Sequence, residues 1–171
     1  MALGGVIKMV PTIELFNSET EFILITIPCL ILMAYIPFVF RLFGQCSLKK
    51  KFDNKTPRLF IAALESEALM GNREAKFVLR CQACHLNMLE DCAVWWPAAL
   101  GALIFSGVHR LALICCAIHM GLRLIYIFLY CFIDSNPASY LRSLVWLLAW
   151  ACPLVMLFEQ AHNIGAHAHD V

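Results

Sequence analysis

Phe22-Ile-Leu-Ile-Thr-Ile-Pro-Cys-Leu-Ile-Leu-Met-Ala-Tyr-Ile-Pro-Phe-Val-Phe40 carries no charge from end to end. A helix needs about 20 apolar residues to cross the hydrocarbon core of a bilayer. Within lipid the backbone must satisfy its own hydrogen bonds, so such a run is a helix. Ser18 and Glu21 just ahead of it form a capping-box pattern. Pro28 and Pro37 predict kinks. Three further runs qualify: Cys92 to Val108, in a helix that begins earlier, near Asn72; Leu111 to Ile133, interrupted only by Arg123; and Ser143 to Phe158, extended by Tyr140 and Leu141. Asn136 followed by Pro137 suits a helix start, with Asn as cap and Pro in the first turn. The expected fold is all-α: an integral membrane four-helix up-down bundle. It forms a single domain over 1–171, with helices at about 19–43, 72–108, 110–133 and 138–160.

Composition agrees. Hydrophobic residues make up 61% and charged residues 15%, against nearly half and a quarter in a soluble domain. The surplus apolar surface calls for lipid around it. Of the nine cysteines, Cys29, Cys92, Cys115, Cys116, Cys131 and Cys152 lie inside apolar runs. There a cysteine behaves as a small hydrophobe, so most are expected as free thiols. The N-terminus has one Lys (Lys8) and no small-residue cleavage site before the apolar run. This predicts a retained signal anchor.

The net formal charge is only +1, but its distribution is informative. The segment 44–71 and its borders hold Arg41, Lys49, Lys50, Lys51, Lys55, Arg58, Arg73, Lys76 and Arg80, most of the thirteen basic residues. The positive-inside rule places this loop in the cytosol and both termini on the other side. The Lys49–Lys51 run is expected to contact anionic lipid rather than nucleic acid. The remaining connections are short: Gly107, His109 and Arg110, then Asp134 to Pro137. Short connections make consecutive helices antiparallel neighbours.

Charged side chains at membrane depth are costly and usually face a bundle interior, a partner subunit or a cavity. On the second membrane helix, Arg80, Ala83, Asn87 and Glu90 share a face, with Lys76 a turn earlier. On the third, His119, Arg123, Tyr126 and Tyr130 do the same. On the fourth, Arg142 can reach the interface, and Ser143 sits where a hydroxyl could donate to a bound thiolate. Two readings follow: a hydrogen-bond network that locks helices together, with Arg123 snorkelling or paired to Glu90, or a site for a polar ligand. Cys81-Gln-Ala-Cys84-His85 also matches the c-type haem attachment pattern. Its place at the basic, cytosolic end of a helix argues for plain packing instead. The histidines of the 161–170 tail fit no usual metal spacing and are expected to fray, so no metal site is assigned.

Arg80-Cys-Gln-Ala83-Cys-His85-Leu-Asn87-Met-Leu-Glu90, followed by Pro97, resembles a family motif. The family is the membrane-associated proteins in eicosanoid and glutathione metabolism (MAPEG), which includes the microsomal glutathione transferases and microsomal prostaglandin E synthase. The motif there runs Arg-x-x-Arg-Ala-His-x-Asn-x-x-Glu and leads into a membrane helix with an early Pro. Arg123 with Tyr130, and Arg142 with Ser143, match the family's third and fourth helices. Phe52-Asp-Asn-Lys-Thr-Pro-Arg58 and Tyr140-Leu-Arg-Ser-Leu-Val-Trp146 resemble the bacterial-type branch.

The resemblance implies a homotrimer that binds glutathione as co-substrate between subunits, near the cytosolic face. It implies Arg80, Asn87, Glu90, Arg123 and Tyr130 as binding residues, with Arg142 and Ser143 acting on the thiolate. The implied activity is a glutathione-dependent transferase or peroxidase working on hydrophobic electrophiles from the bilayer. The alternative is a non-catalytic relative that binds a lipid or a partner protein. The sequence departs from the motif at Ala83, where the family has a second Arg, and at Leu86 and Trp146.

Overall fold

The computed structural model describes residues 18–48, 55–105 and 110–169. The residues before Ser18, the Lys49–Lys51 run, Phe52 to Asn54, Gly107 and His109 lie outside the described residues, as do the side chains of His167 and His169. Among the described residues five helices follow in order: α1 (Ser18–Ser47), α2 (Pro57–Leu69), α3 (Arg73–Phe105), α4 (Arg110–Phe132) and α5 (Asn136–His169). Four of them are long and apolar enough to cross a membrane, with Ser139–Gly165 as the span inside α5. The described residues contain no strand.

Side-chain pairs fix the topology. Between α1 and α3 they run Arg41 with Gln82, the Ala34 carbonyl with His85, and Thr26 with Trp95. As one number rises the other falls, so these helices are antiparallel. His119 with Asp91, Tyr126 with Asn87 and Asp134 with Arg80 give the same result for α3 and α4. His119 with the Ala149 carbonyl and Tyr130 with Arg142 give it for α4 and α5. The four spans thus form the up-down bundle expected from the short connections. α1 packs on α3 and α4, and α5 packs on α4 and α3. Large apolar side chains such as Leu32, Phe128, Leu147 and Phe158 point outward, as a lipid-facing surface requires.

The structure corrects the expected loop over 44–71. α1 runs on to Ser47, with Gly44 close against Phe77 and Val78 of α3. α2 occupies Pro57–Leu69, with Pro57 at its first turn, where a missing N–H is harmless. Leu64 is buried against Ala75 and Val78, with Phe60, Ile61 and Ala68 beside it. The 3.6-residue spacing of these apolar positions makes the segment a helix lying on the start of α3. Gly71 turns the chain at φ 94, a conformation open to glycine. Asn72 then caps α3, its Oδ1 accepting from the Glu74 and Ala75 amides at 3.0 and 3.2 Å.

α5 also exceeds its expected end near residue 160 and replaces the frayed tail with helix to His169. The Gln160 amide donates to the Ala98 carbonyl at 2.8 Å and holds this end of α5 on α3. Beyond that anchor each added residue gains a backbone bond at little nucleation cost.

Candidate functional site

A cavity of about 560 Å³ opens between α3, α4 and α5. α3 contributes Asn87 and Glu90, and α4 contributes Tyr126 and Tyr130. α5 contributes Ser139, Arg142, Ser143, Trp146 and Leu147. Residues three and four apart on each helix fall on one face, which is why short motifs deliver several groups to the same space. Asn87 donates to the Tyr126 hydroxyl at 2.8 Å, so α3 and α4 are joined at the cavity wall. The Arg142 guanidinium lies 4.5 Å from the Tyr130 ring centre, a cation–π contact that orients it. The Ser143 hydroxyl donates to the Ser139 carbonyl of its own helix at 3.2 Å. Its lone pairs are free toward the cavity, and a χ1 or hydroxyl rotation would release its proton.

The cavity holds a base, an acid, an amide, two phenols and two serines beside an indole and a leucine. Such a wall can bind a small zwitterionic molecule at one end and an apolar one at the other.

Five of the residues expected from the sequence therefore meet: Asn87, Glu90, Tyr130, Arg142 and Ser143. Two do not line the cavity. Arg80 turns to the end of α4, where it pairs with Asp134 at 2.9 Å. Arg123 is fully buried and pairs with Asp91, not with Glu90. Consecutive helical residues project about 100° apart, so of the two acids Asp91 points into the bundle while Glu90 reaches the cavity.

Asp91 received no role from the sequence, and Tyr126, placed on the Arg123–Tyr130 stripe, was not counted among the binding residues. Asp91 falls with Cys84, Met88 and Trp95 on the buried face of α3, a spacing of 4, 3 and 4 residues.

Asp91, His119 and Arg123 form one buried polar cluster. His119 donates from Nδ1 to the Ala149 carbonyl at 2.9 Å, and its Nε2 lies 3.0 Å from Asp91 Oδ2. Trp95 stacks on the imidazole with ring centres 4.0 Å apart, and its Nε1 donates to Thr26 at 3.1 Å. Thr26 in turn donates to the Ile23 carbonyl at 2.6 Å. The network spans all four membrane helices. The polar stripes thus divide: some of their residues form a packing network inside, and others line a cavity beside it.

Helix packing also accounts for the Cys-x-x-Cys-His motif. Cys81 and Cys84 are buried in the α3–α4 contact, within hydrogen-bonding reach of Cys131. The His85 ring lies against both Tyr35 and Phe38, and its Nδ1 donates to the Ala34 carbonyl at 2.7 Å. Among the described residues the cysteines are free thiols.

Searches of curated proteins and of solved structures returned no significant match. A family comparison did: residues 25–161 match the MAPEG family, from early in α1 to the anchored part of α5. That span contains the whole cavity and the whole buried cluster, and the chain belongs to the MAPEG family.

Proposed function

We propose that the chain is a membrane-bound glutathione-dependent transferase or peroxidase acting on hydrophobic electrophiles. The observation that carries this reading is the cavity, where Asn87, Glu90, Tyr130, Arg142 and Ser143 converge from three helices. Glutathione has two carboxylates, one ammonium group and a thiol. Arg142 offers a guanidinium for a carboxylate, and Glu90 offers a carboxylate for the ammonium. Asn87 and the two tyrosines offer neutral donors and acceptors. Ser143 is placed to donate to a thiolate once it releases the Ser139 carbonyl. The Trp146–Leu147 side of the wall suits an apolar electrophile arriving from lipid.

The same reading includes a homotrimer. Glu90, Ser139, Ser143, Trp146 and Leu147 are exposed on the side of the single chain. A carboxylate facing hydrocarbon is costly, so a neighbouring copy is expected to cover this side and complete the site. The basic segment between α1 and α3 is proposed to face the cytosol.

A second reading has its own support. Ala83 stands where the family motif has Arg, and Arg123 is committed to Asp91. A chain with fewer cationic partners for a carboxylate could bind a lipid or a partner protein without catalysis.

Calorimetry with glutathione on the protein in nanodiscs, joined to a conjugation assay with a chloronitrobenzene electrophile, separates the two. Binding that weakens in Arg142→Leu, with turnover, supports the enzyme. Binding without turnover supports the second reading. No heat of binding and no glutathione-dependent rise in melting temperature overturns the glutathione proposal.

A further inference from the structure

Arg123 and Asp91 look like a plain buried ion pair, but the hydrogen-bond inventory around His119 says otherwise. A carbonyl oxygen only accepts, so His119 Nδ1 must carry the hydrogen that goes to Ala149. Its Nε2 lies 3.0 Å from Asp91 Oδ2. A bare Nε2 lone pair facing an ionised carboxylate oxygen at that distance is repulsive. One proton therefore lies on that line, on whichever of the two atoms carries it. Either way Asp91 and His119 together are neutral. The Arg123 guanidinium cannot give up its own charge. The cluster thus carries one net positive charge in a place where all three side chains are fully buried.

Among the described residues the positive charge has no second buried carboxylate as counter-ion. Arg123 donates from one nitrogen to Asp91, and its Nε and other terminal nitrogen are buried without a partner. Trp95 covers one side of His119, and Glu90, the nearest acid in sequence, is in the cavity wall. The guanidinium carbon lies 5.7 Å from the centre of the Tyr126 ring. Tyr126 in turn lines the cavity and accepts from Asn87. The unneutralised charge stands directly behind the cavity wall.

We propose that Asp91 and His119 are positioning residues for the cavity: they hold Arg123 against Tyr126 while sharing one proton, so that Arg123's charge remains available to an anionic group of a ligand. Pre-placed charge in a water-poor interior acts on a nearby anion far more strongly than it would in water. The ligand named here rests on the glutathione reading of the cavity; the proton count does not.

Two substitutions separate charge from geometry. In His119→Gln the amide still donates to Asp91, but no shared proton remains, so Asp91 is ionised and the cluster is neutral. In Asp91→Asn the amide oxygen still accepts from Arg123 and the amide nitrogen donates to a neutral His119, so the positive charge stays. Glutathione calorimetry should show His119→Gln weakened by roughly tenfold, the effect of one unit charge across roughly 10 Å of protein interior. Asp91→Asn should stay within roughly threefold of wild type, although it removes the apparent counter-ion. An ordinary neutral ion pair predicts instead that His119→Gln binds like wild type and that Asp91→Asn, which gains a net positive charge, binds roughly tenfold more tightly; that result overturns the proposal.

NMR on wild-type protein in nanodiscs, with labelled histidine, aspartate and tyrosine, gives a test that needs no ligand. The shared proton should appear on His119 Nε2 or on the Asp91 carboxyl; a bare Nε2 beside an ionised Asp91 overturns the inference. The Tyr126 ring signal, assigned with Tyr126→Phe, should move in Asp91→Leu, which releases Arg123, and an unmoved signal also overturns it. If these signals behave as expected but wild type binds no glutathione, the glutathione reading fails and the positioning inference stands. If either binding variant fails to fold, the wild-type spectra decide.

Discussion

Replacing Asp91 by Ala should be among the most destabilising single changes in the bundle. Asp91 is fully buried, accepts from Arg123 and is in hydrogen-bond contact with His119. Its removal leaves all three guanidinium nitrogens of Arg123 without an acceptor, since two have none already. Removing one member of a buried charged pair costs about 3–5 kcal/mol. At about 2–4 °C per kcal/mol for a chain of this size, melting should fall by roughly 6–20 °C. Asp91→Asn keeps an acceptor for Arg123 and offers a donor to His119, so it should cost no more than about 1.5 kcal/mol. Exchanging both members for apolar residues, as in Asp91→Ala with Arg123→Met, should recover much of the loss, because buried ion pairs are often replaceable as a unit. Thermal unfolding in nanodiscs can be followed through the buried free thiols, which react with a fluorogenic maleimide once exposed. A melting point for Asp91→Ala within about 2 °C of wild type would refute the argument that this cluster holds the helices together. Equal losses in Asp91→Ala and Asp91→Asn would also refute it.

Three smaller tests address other parts of the structure. A Cβ at Gly101 would sit 2.1 Å from Gln160 Oε1, so Gly101→Ala must break the Gln160–Ala98 hydrogen bond. That costs about 1–3 kcal/mol against a helix-propensity gain of about 1 kcal/mol, and the same change in a Gln160→Ala background should be neutral or stabilising by thermal unfolding. Leu64→Ala removes the main buried contact of α2 and should cost about 2–5 kcal/mol there. Hydrogen exchange should speed up across Pro57–Leu69 while the membrane helices stay protected; uniform loosening would contradict the separate α2 cluster. Tyr126→Phe takes the acceptor from Asn87 at the cavity wall and should cost about 0.5–1.5 kcal/mol in stability, with weaker glutathione binding by calorimetry.

The sequence by itself determined that the chain is helical and crosses a membrane. Phe22 to Phe40, Leu111 to Ile133 and their counterparts are too long and too apolar for any other solution. Short connections determined the antiparallel order, and motif spacing determined that Asn87 and Glu90, or Arg142 and Ser143, would face one way together. The α2 helix was legible in its apolar spacing but masked by the basic residues around it, which marked the segment as a cytosolic loop.

What only the tertiary structure decided is the rotation of each helix about its axis. Glu90 and Asp91 are neighbours in the chain, and either could have answered Arg123. About 100° of helical rotation sends one to the cavity and the other to the core. That angle is set by how Trp95, Met88 and Cys84 pack against α1 and α4, contacts between residues far apart in the chain. The same packing took Arg123 out of the cavity, put Tyr126 into it, and brought His119 to a carboxylate 28 residues away.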